Sequence, residues 1–136
     1  METDDIEFIP RTHVTFRIFA PTLLPEDVST NLQVTPDHTH HQGDYPRNNP
    51  KYSAYKHGMW LLNSKLPEDQ PLETHLDSLL SILEPQKTYI KSLAQNATVD
   101  FCCTLYSQNG LEISPKMMTR IAELGAFLGA TVYPKD

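Results

Sequence analysis

Apolar and polar residues alternate most regularly over Val99–Tyr106. Val99, Phe101, Cys103 and Leu105 fall on one side and Asp100, Cys102, Thr104 and Tyr106 on the other. A period of two with β-branched, aromatic and sulfur side chains predicts a strand with one buried and one mixed face. Ser107-Gln108-Asn109-Gly110 supplies turn residues after it. Ser114-Pro115 then has the form of a helix start, a capping hydroxyl followed by proline at the first helical position. The period changes to that of a helix. Met117, Met118, Ile121, Leu124 and Leu128 make one stripe, for which a stop at Gly129 is expected. Ala130–Tyr133, closed by Pro134, is a short second strand. A strand, a helix and a strand so close together predict a right-handed crossover between parallel strands.

The start of the chain repeats this pattern in shorter form. His13–Ala20 places Val14, Phe16 and Ile18 on one strand face. Leu24-Pro25-Glu26-Asp27-Val28 corresponds to Ile113-Ser114-Pro115-Lys116-Met117, and Val34-Thr35-Pro36 to Val132-Tyr133-Pro134. Glu26 and Asp27 suit the positive end of a helix. An internal pseudo-repeat is therefore one expectation, and chance similarity over so few positions is the other.

Between these units, His57–Ser64 reads as a strand with apolar residues on both faces, and Trp60 as a core anchor or, alternatively, a ligand-stacking ring. Leu72, Leu76, Leu79, Leu80 and Leu83 form the longest helical stripe, resumed by Ile90 and Leu93. Pro85 must kink or split that helix near Glu84. His75, beside the stripe, is expected to be partly exposed. The whole predicts an α+β domain over 12–136 behind a loose acidic arm at 1–11. Its sheet is mixed and largely antiparallel, of four to five strands with helices on one face, ferredoxin-like (split βαβ) in spirit.

Composition narrows the function classes. A formal net charge of −6 argues against nucleic acid or an anionic membrane as a bulk partner. No apolar run approaches the ~20 residues of a spanning helix, and the acidic start lacks a signal core, so a cytoplasmic protein is expected. The two cysteines, Cys102 and Cys103, are adjacent and point to opposite faces of a strand, which disfavours a disulfide between them.

Candidate chemistry gathers in the polar stretch Asp37–Lys56 and just beyond it. His38 and His40 share a face if that segment is extended. They could hold a divalent metal with His57, Asp37 or Asp44, while polar loop histidines without metal are the plain reading. Arg17, Arg47, Lys51, Lys56 and the histidines, with Tyr45, Tyr52 and Tyr55, could instead line a groove for a carboxylate or phosphate. His38, His40, Arg47, His57 and Trp60 are the ligand-binding candidates. No phosphate-cradling glycine loop and no Gly-x-Ser-x-Gly elbow occurs, and no catalytic residue is assigned.

The order and spacing of several segments carry a resemblance that no single motif would. They are Phe16-Arg17-Ile18-Phe19 with Leu24–Val28, the Thr35-Pro36 corner, and Gly58-Met59-Trp60. Leu76–Pro85, Ile113-Ser114-Pro115, Ile121–Ala126 and Val132-Tyr133-Pro134 complete the set. In these the chain resembles the bacterial family of domain of unknown function 4279. The resemblance implies a small stand-alone bacterial α+β protein and leaves its function open; no cofactor is expected unless the histidines hold a divalent metal. The function expected is a non-enzymatic binding or protein-interaction module whose partner is another protein or a second copy. A small anionic-ligand or metal-binding protein, and an immunity-like protein, are the alternatives.

Overall fold

The computed structural model describes residues 11–107 and 110–133. Residues 1–10 of the expected arm, the turn tip at Gln108-Asn109 and the closing Pro134 lie outside them, while Arg11, expected as the end of the arm, is the first residue of a strand. The elements run β1 (Arg11–Ala20), α1 (Pro25–Leu32), β2 (His38–His40), β3 (Gly58–Asn63), α2 (Leu72–Leu83), α3 (Lys87–Leu93), β4 (Thr98–Tyr106), α4 (Pro115–Glu123) and β5 (Phe127–Tyr133). Five strands form one open sheet in the order β2-β3-β1-β4-β5. All pairs are antiparallel except β4–β5, which is parallel as the short crossover predicts.

Alternation along the strands divides the sheet into two different faces. Val14, Phe16 and Ile18 of β1, Trp60 and Leu62 of β3, and Val99, Phe101, Cys103 and Leu105 of β4 are buried on one side. They share a single core with Val28 and Leu32 of α1, the α2 leucines, Ile90 of α3 and Met117, Ile121 and Leu124 around α4. Phe16 sits at its centre, 5.1 Å from the Phe101 ring and 6.2 Å, edge-on, from Trp60. Among the described residues the helices thus cover one face only.

Local chemistry accounts for the helix ends. The Ser114 hydroxyl accepts from the Met117 amide at 3.2 Å. Glu73 of α2 in turn accepts from the Ser114 amide and hydroxyl at 2.6 and 3.1 Å, which ties the start of α4 to α2. At the other end Arg120 reaches back, bidentate, to Glu84 at 2.7 and 2.9 Å and to Asp77 at 2.7 Å. Pro85 interrupts the long helix as expected: Glu84–Gln86 is a 3-10 turn between α2 and α3.

Five expectations differ from the structure. The last helix ends at Glu123, because Gly125 takes φ +72° and stops it; Leu128 and Gly129 belong to β5. Met118 is 51% exposed and lies off the buried stripe of Met117, Ile121 and Leu124. Val34–Pro36 is not a strand; the chain extends only at His38–His40. The two proposed copies also differ in layout: β4 and β5 are neighbours, whereas β3 lies between β1 and β2. Finally, His75 is buried, 1% exposed, because it follows Leu72 by three residues and precedes Leu79 by four, on the core side of α2.

Candidate functional site

The face without helices carries the unusual chemistry. Pairing aligns one row across all five strands: His38, Leu61, Arg17, Asp100 and Phe127. Arg17 is bound to Asp100 through two hydrogen bonds, 2.9 and 2.6 Å, near the middle of the sheet. Its charge is therefore committed to a carboxylate and is not free for an anionic ligand. The Asp100 bond outweighs burial and holds the guanidinium above its ordinary pKa. The Arg17 guanidinium also lies 5.2 Å over the Phe19 ring.

The neighbouring row holds His40, Met59 and Phe19. His38 Nε2 and His40 Nδ1 are 2.9 Å apart, so one ring donates to the other. The Tyr55 ring stacks on His40 with centroids 3.5 Å apart and planes 4° from parallel. Burial, and after it the positive charge His38 can carry, push His40 below its ordinary pKa and favour neutral imidazole.

The loop that delivers Tyr55 is pinned rather than free. Gly43 and Tyr55 amides bond the carbonyls of Tyr55 and Asp44, both at 2.8 Å. His41 Nε2 bonds the Glu26 carboxylate of α1 at 2.8 and 2.9 Å, and the Asp44 carboxylate accepts from the His41 amide. The Glu26 bond raises the pKa of His41, and the same bond lowers that of Glu26.

The sequence candidates separate accordingly. His38 and His40 meet on the bare face. His57 is edge-on to Phe19 at 5.9 Å and does not complete a metal-holding group with the pair. Arg47 is exposed in the 3-10 turn Pro46–Asn48 with φ +54°. Trp60 faces the other way, fully buried, and its indole N–H donates to Ser29 at 2.9 Å. It is a core anchor, and the ligand-stacking reading is withdrawn. Among the described residues no group of three or more His, Cys, Asp or Glu is placed to hold a metal. Two nitrogens sharing a tetrahedral zinc at about 2.0–2.1 Å would stand about 3.3 Å apart, so the shorter 2.9 Å contact is a hydrogen bond.

What sequence reasoning passed over was the pairing of Arg17 with Asp100 and the aromatic flank of the bare face. Tyr106 stacks on Tyr133 at 4.9 Å, and Arg11 lies 4.2 Å over the Tyr106 ring. Cys102 opens onto the same face, whereas Cys103 is buried and its thiol is pushed up to about 12, which leaves it unreactive. The period of β4 placed these residues on one side, but only register could set them beside β1 and β5.

The model for the family described as "Domain of unknown function (DUF4279)" matches residues 10–135. The chain belongs to this family. The DUF4279 description assigns no activity, and no curated protein and no solved structure matches the chain. Among the described residues of this DUF4279 member, no helix is long and apolar enough to cross a membrane.

The two adjacent histidines give a pH prediction. His41 is raised in the folded protein, so its contribution is full below about 6.5 and is lost as pH rises through its higher folded value. Glu26 is lowered, so its part is present above its ordinary value of 4.5 and is lost as pH falls through its folded one. The tether between loop and α1 is fully formed between those limits. Imidazole NMR titration should place His41 above 6.5 and His40 below it. Indistinguishable midpoints for the two rings would contradict the geometry described.

Proposed function

We propose that this protein is a non-enzymatic interaction module that binds another polypeptide on the helix-free face of its sheet. The observation that carries the reading is that all the core helices lie on one side. The other side offers His38, Phe19, Tyr106, Phe127 and Tyr133 around the neutralised Arg17–Asp100 pair. Such a surface combines aromatic area with little net charge, the composition favoured at the centre of protein interfaces.

The strand order supports reading β1 to β4 as a ferredoxin-like, split-βαβ unit. β1 and β2 run the same way with β3 between them, and β3 and β4 run the same way with β1 between them. The α4–β5 unit is then an addition, and the sequence likeness of β1–α1 to β4–α4 is a pseudo-repeat of strand and helix only. The two free cysteines fit a reducing bacterial cytoplasm.

Cys102 allows a direct test, because it is exposed on the bare face while Cys103 is buried. A benzophenone maleimide attached there should photo-crosslink a polypeptide in extract of the source cell. The same label at Ile82→Cys, on the helix side in a Cys102→Ser background, should not. No adduct at Cys102, or equal adducts at both positions, would overturn the proposal.

A further inference from the structure

The two edges of the sheet are built differently. β2 is three residues long and is preceded by Pro36 and Asp37. Short strands, proline and charge are the usual means of blunting an edge. β5, at the other edge, has seven residues, Phe-Leu-Gly-Ala-Thr-Val-Tyr, with no charge and no proline. Its bare-face side is open, with Phe127 70% and Tyr133 47% exposed, while on the helix side Ala130 is exposed and Leu128 and Val132 are half-buried against the core.

The backbone direction of β5 can be read from one bond. The Tyr133 carbonyl accepts from the Ser107 amide at 3.1 Å, so Tyr133 turns its backbone groups toward the β4 side. By alternation Phe127, Gly129 and Thr131 do the same, and Leu128, Ala130 and Val132 point their N–H and C=O groups outward.

We propose that β5 pairs antiparallel with β5 of a second copy of this chain, about a two-fold axis at Ala130, and joins two sheets into one. This goes beyond the interaction-module reading, since it concerns the β5 edge and not the helix-free face. The strand is complementary to itself in that register. Ala130 faces Ala130, Leu128 faces Val132, Gly129 faces Thr131 and Phe127 faces Tyr133 of the partner strand. The outward residues Leu128, Ala130 and Val132 then become the hydrogen-bonded pairs and exchange about six bonds. The same register sets Phe127 against Tyr133 across the bare face and Leu128 against Val132 on the helix side, so the exposed apolar residues cover one another. The two-fold contact is closed, which stops the edge from recruiting further chains. A seven-residue edge lies at the small end of what a stable dimer needs, about 1,200 Å² in total, so association is expected at micromolar concentration.

Sedimentation equilibrium from low micromolar to near-millimolar protein tests this, with Ala130→Pro as the deciding variant. The Ala130 amide faces away from β4, so proline there spares the sheet of the monomer and removes the two central bonds of the pair. Ala130→Lys keeps the amide and sets two ammonium groups against each other at the axis. The expected result is a wild-type dimer, with both variants weakened by roughly 100-fold or more and with unchanged far-UV circular dichroism. A wild type that stays monomeric throughout, or variants that dimerise like the wild type, would overturn it. If benzophenone at Cys102 of a monomeric protein still captured a different polypeptide, the interaction-module reading would stand and only the dimer would fall.

Discussion

Replacing Phe16 with Ala is expected to destabilise the protein by about 3–5 kcal/mol, measured as a lowered midpoint in urea with little change in slope. The side chain has no solvent exposure and stands between the Phe101 and Trp60 rings. It lies on β1, the central strand of the five, so relaxation toward either neighbour is restrained by a ladder of hydrogen bonds. The cavity cannot close easily, and the loss falls toward the upper end of the range for aromatic truncation. Domains of this kind hold only about 5–15 kcal/mol in all. A shift of less than about 1 kcal/mol would mean that the ring does not hold this place in the core.

Gly58→Ala is expected to have a comparable effect through the opposite cause. A Cβ at position 58 would sit 2.2 Å from the Leu23 carbonyl oxygen and 3.0 Å from its carbon. Both are backbone atoms of the turn leading into α1, so no rotamer change can make room. The turn must move, and with it α1, which supplies Val28 and Leu32 to the core and Ser29 to the Trp60 indole. Overpacking usually costs about 1–3 kcal/mol, and a backbone clash belongs at or above the top of that span. Thermal unfolding of Gly58→Ala beside Gly129→Ala gives the comparison, since a Cβ at Gly129 meets nothing within 4 Å. Equal melting temperatures for the two variants would refute the close approach at Leu23.

The contrast between Trp60 and His38 shows where pattern suffices and where it does not. Alternation over Gly58–Asn63 placed Trp60 with Leu62, and a ring on the side of the larger apolar residues goes to the core. His38 and His40 were placed together by the same rule, and the structure does bring them together. Which strand lay beside them was not legible. Arg17, which looked free to bind an anion, acquires its Asp100 partner through antiparallel pairing between the first and fourth strands. Local signals failed most at the last helix, where two glycines stood four apart. Gly125 was the stop because a Cβ there would meet Ala94 at 2.8 Å and because it alone of the two adopts a left-handed φ. Periodicity carries which face a residue takes; it does not carry register, strand order or the contacts of a second element.

The position of β1 has a consequence for how the chain assembles. Its partners are β3 and, along nearly its whole length, β4, with Arg11 opposite Tyr106. During synthesis β1 therefore lacks one lateral neighbour until β4, 83 residues further on at the Arg17–Asp100 pair, has been made. Such high contact order predicts slow refolding and a growing chain that must keep Val14, Phe16 and Ile18 from other partners while it waits.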